Sequence, residues 1–191
     1  MDSLRLVVVR YPLVRGQIAD GDLLLFRHRS LISIAGRGAY SHAAKVGLWG
    51  DDVFCLEIRE WTGGRAVTLS SQVRRFPGKI DVFETNPAGR WPEYDRAGAV
   101  RKMRRLAGCA YGYRGLLGAA LLHLPIVRLF VNPNLDDEDA PRQPPFCSQA
   151  CVLADRLGGG VDPVPHLADR LTEPSDLARS PFYRYRFTLA P

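Results

Sequence analysis

Short apolar runs broken by turn residues fill the first half of the chain, and longer stretches with helical spacing fill the second. Gly21-Asp22 precedes the run Leu23-Leu24-Leu25-Phe26, which predicts a buried strand entered by a turn. Ser41 to Trp49 alternates, Gly50-Asp51-Asp52 supplies turn residues, and Val53 to Ile58 predicts the return strand of a hairpin. Val67 to Leu69 and Lys79 to Phe83 predict two further short strands, the second ended by Asn86-Pro87. Glu93 to Leu106 sets Ala97, Val100, Met103 and Leu106 against an arginine-rich face and predicts an amphipathic helix. A second helix is expected from Arg114 to about Leu122, stopped near Pro125. The acidic, proline-bearing stretch Asn132 to Pro145 predicts a long loop acting as a functional flap. Phe146 to Leu157 predicts a helix closed by Gly158-Gly159-Gly160, and Phe182 to Leu189 predicts a strand that completes the sheet. The expected class is α+β.

Length and charge narrow the picture. A chain of 191 residues fits one domain, taken as 1–191, and 46% hydrophobic with 24% charged residues is the composition of a soluble globular protein. The net charge of +6 gathers partly at Arg101, Lys102, Arg104 and Arg105. That cluster reads either as a solvated helix face or as contact with an anionic surface. No zinc-finger spacing and no aromatic RNA-recognition run accompanies it, so no specific nucleic-acid partner is expected. Met1 to Val9 is a short apolar run interrupted by Arg10, without secretory-signal character, so the expectation is a protein made in the cytoplasm without a signal peptide. Gly115 to Val131 is apolar but contains His123, Pro125 and Arg128, which suits a buried or interfacial helix better than a spanning one.

Four cysteines, at 55, 109, 147 and 151, lack both zinc-pair spacing and disulfide density, so reduced thiols and no metal or other cofactor are expected. An alternative keeps Cys147 and Cys151, four apart on one helix face, as metal ligands with a histidine. A cysteine nucleophile needs a lowered thiol pKa, a base within reach and donors for the oxyanion. Cys147 opens a predicted helix, where free N–H groups and the positive end of the dipole favour thiolate. Among four histidines, His28 lies in a basic patch, His123 in the apolar stretch and His166 in a proline-rich loop. His42 begins a strand beside small residues. If Gly50-Asp51 is a two-residue turn, opposed positions sum to 101 and Glu57 is the diagonal neighbour of His42 on the same face. A three-residue turn reverses the register and sends Glu57 to the other face. Taken singly, Cys147 reads more readily as an inert core residue than as a nucleophile, and His42 and Glu57 as ordinary strand residues.

Taken together these pieces resemble the permuted branch of the NlpC-type papain-like hydrolases, which includes YiiX-like proteins and lecithin:retinol acyltransferase-like enzymes. The resemblance rests on Gly21-Asp22 before a strand, Ser41-His42-Ala43 opening the next, and Glu57 in the strand after. It continues in Ala110-Tyr111-Gly112-Tyr113, in Phe146-Cys147-Ser148 and in Glu173-Pro174-Ser175-Asp176-Leu177, and covers roughly residues 18–188. It implies a papain-like fold, an antiparallel sheet or partial barrel packed against helices, with Cys147 as nucleophile, His42 as proton shuttle and Glu57 fixing His42. It also implies that Tyr111, Tyr113 and Ser148 contact substrate. The expected activity is cleavage of an amide or peptide bond through a thioester, with cell-wall peptide as leading substrate. Without an export signal, wall access would come by lysis, dedicated secretion or packaging in a virion beside phage structural proteins. Two alternatives stand: a lipid-directed acyl hydrolase or transferase, and a catalytically silent structural protein of a phage virion or tail.

Overall fold

The run Leu23–Phe26 is wholly buried because it forms a central strand with a neighbour on each edge and a core on each face. The computed structural model of the chain describes residues 6–27, 38–112 and 144–191. Tyr113, His28, His123, the helix expected from Arg114, the apolar stretch to Val131 and loop residues 132–143 lie outside them. Seven strands make one sheet: β1 Val8–Arg10, β2 Leu23–Phe26, β3 His42–Trp49, β4 Asp52–Arg59, β5 Gly63–Thr68, β6 Ile80–Thr85 and β7 Tyr183–Ala190. Their order is β1-β7-β6-β2-β3-β4-β5. Every pair is antiparallel except β1 with β7, so the sheet is mixed and not the antiparallel one expected. The apolar run before Arg10 supplies the extra strand, joining the open edge of β7.

Period-two alternation divides the strands between two cores. Leu23, Leu25, Ala43, Leu56 and Ile58 face helices α3 Arg96–Arg105, α4 Cys147–Leu153 and α5 Pro174–Arg179. Leu24, Phe26, Ala44, Val46 and Cys55 face α1 Tyr11–Val14 and α2 Leu69–Arg75. Helix α2 departs from expectation, since the strand foreseen at Val67–Leu69 runs Gly63–Thr68 and Leu69 opens a helix. The pair Gly63-Gly64 has the look of a turn, but it is strand backbone pressed against the chain after α3. Gly64 N donates to Cys109 O at 2.8 Å, and a Cβ on Gly64 would stand 1.8 Å from Leu106 O. Helix α3 is capped by Asp95, whose carboxylate accepts from Gly98 N. The helix expected at 146–157 is α-helical to Leu153 and continues as a π-helical turn, Ala154–Gly158.

The hairpin of β3 and β4 turns on two residues. Trp49 pairs with Asp52, and Gly50 alone of the two turn residues has positive φ, at 55°, the II′ pattern that suits the strand twist. The register therefore sums to 101, and Ala44 opposes Glu57.

Candidate active site

His42 is the first residue of β3, so its ring stands at the end of the sheet, edge-on to Phe26 of β2 with centroids 5.1 Å apart. Glu57, diagonal to it across the hairpin, brings Oε2 to 2.7 Å from His42 Nε2. The other oxygen, Oε1, accepts from Arg65 Nε at 2.8 Å and Nη2 at 2.5 Å. Arg65 opposes Glu57 on β5, which is why the fork meets it side-on. A second guanidinium, Arg59, lies 3.9 Å from Oε2 and rests over the Phe76 ring.

Cys147 arrives from the opposite direction as the first residue of α4, after Phe146 in an extended cap conformation. Its side chain is hydrogen-bonded to His42. Glu57 occupies Nε2, which leaves Nδ1 as the ring atom for the sulfur. The backbone amides of Ala43 and Ser148 also donate to the sulfur. The β3–β4 ladder starts at Ala44, so the Ala43 amide beyond it is left for this use. All three side chains are buried: Cys147 is 1% exposed, His42 7% and Glu57 1%.

Their ionisation follows from these contacts. Burial presses the Cys147 thiol up, but the His42 hydrogen bond, the imidazolium charge and the two amides outweigh it and hold the thiol below its ordinary value. Burial likewise presses His42 down, and its bonds to Cys147 and Glu57 reverse this, raising it from 6.5 to about 9. For Glu57, burial is overcome by His42 and Arg65, and its pKa falls from 4.5 to about 2. The arrangement therefore favours thiolate, imidazolium and carboxylate together. The other thiols differ. Burial pushes Cys55 and Cys151 up, and the half-buried Cys109 is raised as well.

The structure thus brings Cys147, His42 and Glu57 into one chain of contacts. Tyr111 is buried in the same core as Cys147, and Gly112 N donates to Pro145 O at 3.2 Å, which places this segment beside the chain leading into α4. The Ser148 hydroxyl is fully buried and donates to Thr172 O at 2.7 Å, so this residue meets the sulfur through its amide and spends its side chain on anchoring α4. Tyr113 lies outside the described residues. Arg65 was not visible as a partner, because the adjacent glycines look like a loop between strands.

The same geometry bears on metal. His42 Nε2 and both oxygens of Glu57 are engaged by protein groups, and Cys151 sits one turn beyond Cys147, fully buried. Among the described residues no group of three or more His, Cys, Asp or Glu side chains is arranged to hold an ion. On α3, Arg101 pairs with Asp95 at 3.0 Å, and Arg104 donates to Leu48 O and stacks on Trp49. Among the described residues no helix is long and apolar enough to cross a membrane.

No protein-family model matches the chain, and no curated protein matches it. A solved structure does: the metalloprotein YiiX from Escherichia coli O157:H7, with TM-score 0.60 and 11% identity, over 92% of this chain and 99% of that one. At that identity the likeness is one of fold, and this chain is an α+β protein of YiiX-like architecture.

Proposed function

We propose that the protein is a cysteine hydrolase that cleaves an amide or peptide bond through a thioester. The observation that carries this reading is the hydrogen-bonded series Cys147–His42–Glu57–Arg65, buried at the meeting of a strand end and a helix start. Cys147 thiolate attacks the acyl carbon, and the carbonyl electrons move to oxygen. The Cys147 amide, the first N–H of α4, is the donor this reading assigns to that oxyanion. His42 gives its proton to the departing amine as the carbonyl reforms and the thioester remains. Water then loses a proton to His42 and attacks the thioester, and the acid leaves while the sulfur regains its charge. Glu57, fixed by the Arg65 fork, orients the ring and stabilises its charged form.

Cell-wall peptide is the leading substrate class in this reading, and incorporation in a phage particle is one setting for it. A lipid acyl substrate gains little from the basic helix, since Arg101 and Arg104 are already engaged within the protein. Turnover of muropeptides and of short-chain acyl lipids by the wild type, Cys147→Ala and His42→Ala tests the proposal. Amide cleavage lost in both variants supports it, and cleavage retained in Cys147→Ala ends it.

A further inference from the structure

A second polar cluster lies behind the candidate site and takes no part in the proposed reaction. Lys45 stands on β3 three residues after His42, and Asp155 stands on the π turn eight residues after Cys147. Both are buried, at 1% and 0% exposure. Lys45 Nζ is 2.6 Å from Asp155 Oδ2 and 2.8 Å from Oδ1, and it also donates to Gly21 O and Thr85 Oγ1 at 3.2 and 3.4 Å. Asp155 accepts from the Tyr94 hydroxyl at 2.5 Å and from the Tyr183 hydroxyl, whose ring lies under the ammonium. Among the described residues, the other ionisable neighbours are the Asp22–Arg96 pair beyond Thr85 and the Cys151 thiol between Asp155 and Cys147.

A buried pair of this kind, exchanged whole for apolar side chains, is often neutral or stabilising, so stability gives it no clear purpose. What an ion pair supplies and an apolar contact lacks is direction. The arm from His42 to Lys45 is about 10 Å at strand rise. The arm from Cys147 to Asp155 is about 12 Å at helical rise. Helix α4 packs against β3, with the imidazole and sulfur meeting at one end and the ammonium and carboxylate at the other. We infer that the Lys45–Asp155 ion pair is a positioning element for the Cys147–His42 couple, fastening the helix that carries the sulfur to the strand that carries the ring. A slide of one element along the other by an ångström would move the sulfur off the ring nitrogen, and the pair resists that slide.

This inference rests on the proposed chemistry, and its test separates the two. The rate of Cys147 alkylation by iodoacetamide is followed by mass spectrometry from pH 5 to 10 in the wild type and in Lys45→Met/Asp155→Leu. Expected in the double variant is a cooperative fold with a Cys147 profile moved toward an ordinary thiol, and a rate at pH 6 lower by roughly tenfold for each unit of thiol pKa regained. A role in folding alone would change Tm and leave the profile where it was, and that result overturns the inference. Should the double variant fail to fold, Tyr94→Phe and Tyr183→Phe each remove one hydrogen bond from Asp155. A smaller shift of the same sign is then expected, and an unchanged profile in both is the overturning result. Slow Cys147 alkylation at pH 6 in the wild type removes the proposed chemistry and the inference with it. Fast alkylation in wild type and double variant alike removes the inference alone.

Discussion

Cys147, His42 and Glu57 hold three charges in a buried space, and each substitution there has a separable consequence. Cys147→Ala deletes one sulfur and is expected to abolish turnover while the cooperative thermal transition persists, as circular dichroism would record. Glu57→Gln keeps the shape but removes the charge between Arg65 and His42. A loss in kcat of about 10²-fold or more is expected, within the range for impaired general acid–base catalysis. The depressed Glu57 carboxyl also ties stability to acid. Its folded pKa of about 2 lies below 4.5, so its contribution is complete above pH 4.5 and disappears as pH falls toward 2. That contribution is on the order of 3 kcal/mol, and urea melts at pH 6 and pH 3 would show the wild type losing more stability than Glu57→Gln. The downward shift of Cys147 and the upward shift of His42 act in opposite directions on the pH dependence of folding, so the pair is expected to add little to it near neutral pH. The diagonal meeting of His42 and Glu57 was readable in the sequence because a two-residue turn at Gly50-Asp51 permits one register. Arg65 was not, because nothing local marks Gly63-Gly64 as strand.

Elements carry the site by ending where they do. β3 begins at His42, α4 begins at Cys147, and the β3–β4 ladder stops one residue short of Ala43, so an amide, a ring and a sulfur converge at termini. Helix α4 is anchored at its start by the Ser148 hydroxyl on Thr172 O. Ser148→Ala is expected to lower stability by roughly 1 kcal/mol, the usual value of one buried hydrogen bond, read by urea titration. The seam between β5 and the chain after α3 tolerates far less. Gly64→Ala forces a Cβ into the Leu106 carbonyl, whereas Gly16→Ala meets nothing within 4 Å. Soluble folded yield is therefore expected to collapse in the first and hold in the second. Apolar runs showed where β2, β3, β4 and α4 lie. They did not show α2, whose helical spacing of Leu69, Val73 and Phe76 spans only two turns, nor β1, whose short Val8-Val9-Arg10 segment becomes a strand by joining the edge of β7.

Across the whole molecule, two halves of the chain meet at one point. The strands from the first half bring the base and its carboxylate, and the helix from the second half brings the sulfur. Two polar side-chain contacts span that meeting, Cys147 with His42 and Lys45 with Asp155, while Ser148 ties the helix start to Thr172 within the second half. The order of the pieces along the sequence was enough to suggest this architecture, and the fold likeness to YiiX agrees with it at the level of fold. The Lys45–Asp155 pair had no signature, since its members are 110 residues apart and a strand lysine ordinarily faces water. The central claim is that the protein ionises one particular sulfur near neutral pH. Brief iodoacetamide exposure at pH 6, followed by peptide mapping, tests it, because Cys109 is the most exposed of the four thiols and Cys147 the one held low. Expected is carbamidomethylation at Cys147 well ahead of Cys109, lost in His42→Ala. Labelling of Cys109 first, with Cys147 unmodified or indifferent to His42→Ala, would contradict it.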